Sequence, residues 1–217
     1  MSYVQYVCDV ETTGTDPEKH DIIEVCFWRL GDAESKTWWL TPLSPENIEE
    51  EALQINKHLR EDILHQTKEG REKYKHPSEV LPEIEMWLME DGAAAEERVF
   101  IGQNPMFDYE FLLALWRKMK AEKEFPFGYW IPNRDGSERN QGYIIDTMQF
   151  ARLIDVCTGK KRTRYGLGAL VKDFGVTKST AHRADGDVKM TKELYEKIVA
   201  VLKDPIIAAF NESYNDH

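Results

Sequence analysis

The chain has few cysteines, no long apolar runs and less positive than negative charge. Its three cysteines, Cys8, Cys26 and Cys157, form no metal-binding spacing, and two of them fall in apolar segments that read as buried strands. A disulfide framework and a cysteine zinc site are excluded, and reduced thiols in a cytoplasmic protein are expected. No segment approaches the roughly 20 consecutive apolar residues of a membrane helix, and the first residues do not read as a signal peptide. Repeats, low-complexity tracts and linkers are also missing. The 217 residues, 41% of them hydrophobic, predict a single domain over 1–217, with a core over about 3–202 and a short C-terminal tail over 203–217. Lysine and arginine number 28 against 39 acids, a net charge of −11. Spread evenly, that charge would disfavour a phosphate-rich partner. Between Lys160 and Lys192, however, nine basic residues face three acids, a local balance of +6 that leaves −17 on the rest of the chain.

What the chain does have is acids at informative places. Tyr3 to Cys8 is nearly continuously apolar and runs into Asp9-Val10-Glu11-Thr12-Thr13-Gly14. This reads as a buried central strand whose alternation turns Asp9 and Glu11 to one face and Val10 to the other. A second apolar run, Val99-Phe100-Ile101, leads to Gly102-Gln103-Asn104-Pro105-Met106-Phe107-Asp108. Asn104 before Pro105 predicts a helix N-cap, and Phe107, Phe111, Leu115 and Met119 recur at helical spacing, so Asp108 falls in a first helical turn. The third stretch, His182-Arg183-Ala184-Asp185-Gly186-Asp187, precedes Val188, Thr191, Tyr195, Ile198 and Leu202 at steps of three and four. It predicts a C-terminal helix with Asp187 near its start.

Each piece alone has an ordinary structural reading: solvated acids at a strand end, a carboxylate favoured by a helix dipole, a histidine at a cap. Together they predict one site. Four clustered carboxylates repel one another unless cations sit among them. Two divalent ions bring the formal balance to zero, and all-oxygen ligands favour Mg²⁺ or Mn²⁺. Such a pair, about 4 Å apart, is suited to in-line displacement at a phosphodiester. His182, with an ordinary pKa of about 6.5, is suited to taking a proton from the attacking water.

In these motifs and their order, the chain resembles the DEDDh-type 3′→5′ exonucleases, the family of the proofreading subunits of bacterial replicative DNA polymerase. The resemblance runs from about Tyr3 to Leu202. It implies a ribonuclease H-like α/β fold, a mixed five-stranded sheet flanked by helices. It implies that Asp9, Glu11, Asp108 and Asp187 serve two Mg²⁺ or Mn²⁺ ions and that His182 is the general base. The Thr12 backbone and Glu11 would meet the terminal 3′-OH, Phe107 and Asn104 would lie by the last nucleotides, Ile55 would hold the place of an apolar wedge, and Asn56 beside it would also contact substrate. The chain departs from the pattern at Asn56-Lys57, where proofreading subunits carry His-Gly, and at Gln103, where they carry histidine. Ile22-Ile23-Glu24-Val25 resembles the family's second strand, with Glu24 a candidate supporting group. Asp146 is expected to cap a helix, and Leu167 and Leu170 to belong to the core.

The coarse order is strand over about 3–11, 21–30 and 35–42, helical segments over 46–66 and 78–91, strand over 98–102, helix over 105–122, strand over 143–146, then helices. Trp130 to Gln141 reads as a polar loop or hairpin near the site. Three functions follow for test: release of 5′-mononucleotides from the 3′ end of single-stranded or frayed DNA; the same reaction on RNA, since ribonuclease T and oligoribonuclease share these motifs; and a non-catalytic, polymerase-associated nucleic-acid-binding module. DNA is favoured over RNA, a DNA polymerase or replication partner is expected, and no membrane is involved.

Overall fold

The computed structural model describes residues 3–179 and 183–215, with side chains described as far as residue 203. Its centre is β1 (Val4–Thr12), whose two faces are both covered. Val7 packs with Val99, Ile101, Ala184 and Val188 on one face, while Tyr6, Cys8 and Val10 join Phe100, Phe111 and Leu112 on the other. Burial on both faces is what the near-continuous apolar run requires.

β2 (Ile22–Arg29) and β3 (Lys36–Trp39) extend the sheet antiparallel on one side of β1. β4 (Arg98–Gly102) and β7 (Tyr143–Asp146) extend it parallel on the other, giving the order β3-β2-β1-β4-β7. This is the expected mixed five-stranded sheet.

The segment expected as helical over 46–66 holds two short helices, α1 (Glu50–Asn56) and α2 (Arg60–Ile63), and a third, α3 (Lys68–Lys73), follows where no helix was expected. Lys57 closes α1 in the left-handed region at φ 61°, donating its N–H to Leu53 O at 2.8 Å, a role more often taken by glycine. His65 interrupts the chain again at φ 58°. α4 (Pro77–Met89) and α5 (Met106–Lys118) then cover one sheet face through Val80, Ile84, Leu88, Phe111 and Leu112. α6 (Thr147–Thr158), α7 (Leu167–Asp173) and α8 (Ala184–Asn215) form a second apolar cluster around Leu170, Val171 and Leu194. Leu170 is fully buried and Leu167 packs at its margin, as expected. The backbone of α8 stays helical past residue 203.

Two local expectations are corrected. Asn104 is not the side-chain cap of α5: it sits at φ 59°, is exposed, and offers its carbonyl to Phe107 N at 3.3 Å, while α5 begins at Met106. Asparagine tolerates that left-handed conformation better than most residues. The 130–141 segment is a hairpin, β5 (Tyr129–Pro132) with β6 (Glu138–Gln141), but it lies away from the acids. β7 runs parallel to β4, so the chain must return to the far end of the sheet before entering it. The hairpin therefore stands beside Tyr143, which pairs with Val99 near Val4. Glu11 is seven residues further along β1, roughly 20 Å at strand rise.

Candidate active site

The acids gather where β1 ends and the helices after β4 and α7 begin. Asp9 and Glu11 point from β1 toward α8, whose first turn carries Asp187. Ligand oxygens of Asp9, Glu11 and Asp187 lie within 4.8 Å of one another, which makes them the metal-compatible cluster among the described residues. Asp108, in the first turn of α5, is buried against β1 and accepts the N–H of Val10 at 2.9 Å through Oδ1. One of its oxygens is thus tied to the strand between the two ligands. A register shift between Glu11 and Thr12 skips Ile23, and after the last pair, Thr12 with Ile22, the chain turns into Thr13-Gly14. A Cβ on Gly14 would meet the His20 ring at 2.5 Å, so this turn admits only glycine without rearrangement.

The electrostatics are those of a cation site. Burial, followed by repulsion from Asp108, Glu11 and Asp187, holds the Asp9 carboxyl well above its ordinary range. Glu11 is pushed up to about 8, by burial first and then by Glu24, Asp187 and Asp108, with Arg183 opposing. Burial pushes Asp108 to about 7, against the hydrogen bond from Val10 and with repulsion from Asp187. Carboxyls in this state gain most from a bound divalent cation. Their all-oxygen donor set fits Mg²⁺ or Mn²⁺.

Beside Glu11 opens a cavity of about 290 Å³, lined among others by Thr12, Gly14, Glu49, Ile55, Asn56 and Phe107. Four of the five residues expected at the substrate, Thr12, Ile55, Asn56 and Phe107, therefore share one wall system with a metal-site acid. Ile55 stands 61% exposed at the mouth. Asn56 is buried and fully engaged, its Nδ2 donating to Thr12 O at 3.0 Å and its Oδ1 accepting the N–H of His58 at 3.2 Å. Asn104 does not line this cavity; its N–H donates to Asp146 Oδ1 at 3.1 Å. Asp146 also caps α6 through the N–H of Met148 at 2.9 Å, as expected. His182 lies outside the described residues.

A second cavity of about 370 Å³ is lined by Leu167, Gly168, Lys178, Met190 and Asp187 among others. The basic stretch that surrounds it is only partly free. Arg162 is buried in ion pairs with Asp155 and, at 2.8 Å, with Asp173. Lys160 faces Asp173 at 3.8 Å and Lys192 faces Glu196 at 2.7 Å. Lys161, Arg164, Lys172, Lys178 and Lys189 have no ion pair among the described residues and are exposed.

Two residues escaped the sequence reading as parts of the site. Arg183 Nε lies 3.1 Å from Glu24 Oε2, and His58 Nε2 lies 2.8 Å from the same oxygen. The sequence signal available for Arg183 was its place inside the third motif, and His58 carried none.

Comparison with known proteins places this geometry. The profile of the exonuclease family (RNase_T) matches residues 6–195. The PolC-type DNA polymerase III of Thermotoga petrophila is 27% identical over 209 residues, covering 96% of this chain and 13% of the polymerase. That of Staphylococcus aureus strain bovine RF122 is 27% identical over 207 residues, 95% of this chain and 12% of the polymerase. In the structural comparison, the zinc-bound E. coli exonuclease I complex with single-stranded DNA superposes with a TM-score of 0.70 at 16% identity, over 97% of this chain and 43% of that one. Product-bound exonuclease I gives 0.65, also at 16% identity, over 92% and 44%. The chain thus spans about an eighth of the polymerases and under half of exonuclease I. These likenesses identify the ribonuclease H-like fold, and the chain belongs to the exonuclease family as a DEDDh-type 3′→5′ exonuclease domain.

Proposed function

We propose that this domain removes 5′-mononucleotides one at a time from the 3′ end of single-stranded or frayed DNA. The observation that carries the reading is the convergence of Asp9, Glu11 and Asp187, with raised carboxyl pKa values at Asp9 and Glu11, at the edge of the cavity beside Glu11. Asp9, Glu11 and Asp187 would hold the Mg²⁺ or Mn²⁺ ions, two in all, and Asp108 would join through an ion or its water. When bound, the ions supply an activated water and charge stabilisation at the leaving oxygen.

The chain's own groups do the rest. The terminal nucleotide enters between Ile55 and Phe107, and Glu11 and the Thr12 backbone meet its 3′-OH. His182 accepts a proton from the attacking water. The new P–O bond forms as the bond from phosphorus to the 3′-oxygen of the preceding nucleotide breaks, and that oxygen leaves with a proton as the new 3′-OH. Lys178, beside Asp187, lies where the preceding phosphates would pass. Because a frayed or mismatched end costs less to unpair, a cavity accepting one splayed strand favours such ends. The names of the PolC-type polymerases and of the exonuclease I complex support DNA over RNA as substrate and a polymerase or replication partner.

The test is degradation of 3′-labelled and 5′-labelled single-stranded oligonucleotides, DNA beside RNA, with Mg²⁺, Mn²⁺ or EDTA. Immediate release of the labelled 3′-mononucleotide and a shrinking 5′-labelled ladder, faster on DNA and abolished by EDTA, is the expected result. Faster loss of RNA moves the assignment to an exoribonuclease, and no cleavage by folded protein moves it to a binding module. His182→Ala is expected to lower kcat by about 10²–10⁴ with metal affinity kept; unchanged turnover would remove His182 from the mechanism.

A further inference from the structure

Glu24 lies on β2 directly opposite Glu11 in the β1–β2 ladder and is fully buried. A buried carboxylate is costly unless it is paired. Its partners come from two distant parts of the chain. Arg183 Nε donates to Oε2 at 3.1 Å; His58 Nε2 lies 2.8 Å from the same oxygen but outside hydrogen-bond geometry, and neither that nitrogen nor Oε1 has a hydrogen-bond partner among the described residues. Behind the pair, His58 Nδ1 meets the Tyr74 hydroxyl at 2.6 Å, and the His58 N–H is held by Asn56, which also holds the Thr12 carbonyl. A polar chain therefore runs from Thr12 and Asn56, on the cavity wall, through His58 and Glu24 to Arg183, passing behind Glu11.

Arg183 immediately precedes α8. Its carbonyl accepts the N–H of Asp187 at 3.0 Å, the first helical bond of the metal-site aspartate. A buried ion pair adds little net stability, so stability alone is a weak reason for an anchor that joins residues 159 positions apart. We propose that Glu24 is a positioning residue: braced by His58, it grips Arg183, fixes the first turn of α8, and so holds Asp187 against Asp9 and Glu11. Its kinetic consequence rests on the exonuclease reading of the same site; its structural consequence does not.

The experiment compares the full chain with Glu24→Gln, Arg183→Gln and the double variant. Two readouts are taken: hydrogen exchange of the Asp187–Met190 amides, with the β4 amides as internal reference, and kcat and KM on a 5′-labelled oligonucleotide. In Glu24→Gln, exchange at the start of α8 is expected to rise several-fold while β4 stays unchanged. kcat should fall about 10–100-fold with KM little moved, the range for outer groups of metal sites. The double variant should be no slower than the slower single, because both substitutions break one contact. Unchanged exchange at α8 overturns the proposal, as does a double variant whose loss is the product of the singles. If the unaltered chain cleaves nothing, the exonuclease reading fails and the exchange result alone decides this one. If Glu24→Gln does not fold, His58→Gln and Arg183→Lys carry the same two readouts, and unchanged exchange in both overturns it.

Discussion

The two ends of β1 and β4 bury charge in opposite ways. At the start of β4, Arg98 grips Asp91 with a fork, Nε to Oδ2 and Nη2 to Oδ1 at 2.8 Å each, and Tyr6 donates to Asp91 Oδ2 at 2.6 Å. Arg98 spends its remaining donors on the carbonyls of Pro126, Leu88 and Ala93. Burial pushes the Asp91 carboxyl up, yet the hydrogen bonds from Arg98 and Tyr6 prevail and hold it below its ordinary range. At the far end, burial is the first cause acting on Asp9, Glu11 and Asp108 too, and there their carboxyls rise. Arg183 is the cation opposing this at Glu11, and it is held by Glu24. One end carries its countercharge in the sequence; the other keeps its carboxyls raised, the state that gains most from a divalent cation.

The largest effect that would break this contrast is at Asp9. Asp9→Asn is expected to cost at least about 10³-fold in exonuclease rate, since a lost metal ligand forfeits several kcal/mol of charge stabilisation. The same substitution should raise the melting temperature of the EDTA-treated protein, because it removes one repelling charge. A lower melting temperature there would mean that Asp9 already has a stabilising partner. Arg98→Ala tests the opposite end. It strands Asp91 in the interior and should cost about 3–5 kcal/mol in urea unfolding, with the rate per folded molecule kept.

A smaller effect is the dependence of stability on pH. Glu11 titrates near 8 and Asp108 near 7 in the folded chain, above the roughly 4 of unfolded carboxyls. Between these values the unfolded state binds fewer protons than the folded one, so this contribution to stability is full below pH ~4 and is lost as pH rises through about 8. Metal-free protein should therefore melt lower at pH 8.5 than Asp9→Asn does, and Mn²⁺ should raise the melting temperature more at pH 8.5 than at pH 5.5. Equal Mn²⁺ effects at the two values would place the raised carboxyls outside the ion site. The smallest effect belongs to Asp146→Ala, which uncaps α6 and frees the N–H of Asn104. It should cost about 1 kcal/mol in the urea midpoint and leave the rate on DNA nearly unchanged.

Much of the architecture was legible because burial leaves a local pattern. The apolar run of β1 with Asp9 and Glu11 in alternation, the helical spacing after Asp108 and the stripe from Val188 to Leu202 each name an element and a face. Of the acids, Asp9 and Glu11 were legible from strand alternation and Asp187 from the start of a helical stripe, and these three come together at the end of β1. What could not be read depends on closure of the chain. Arg162 looks like one more surface cation until Asp155 and Asp173 close on it, and Glu24 looks isolated until Arg183 and His58 arrive. The hairpin over 130–141 was placed near the acids because nothing local states from which end β7 is entered. Left-handed Lys57 and Asn104 were missed for a different reason: a non-glycine residue rarely signals a positive φ.

Asn56 is the only side-chain amide lining the cavity beside Glu11 among the described residues, and its Nδ2 and Oδ1 are bonded to Thr12 and His58. Turning this amide to read an adenine edge bidentately would break both bonds. What remains for a base are Ile55 and Phe107, whose flat and apolar contacts accept every base alike. A strand passing this site would be treated as a length rather than as a text, shortened letter by letter without the letters being read.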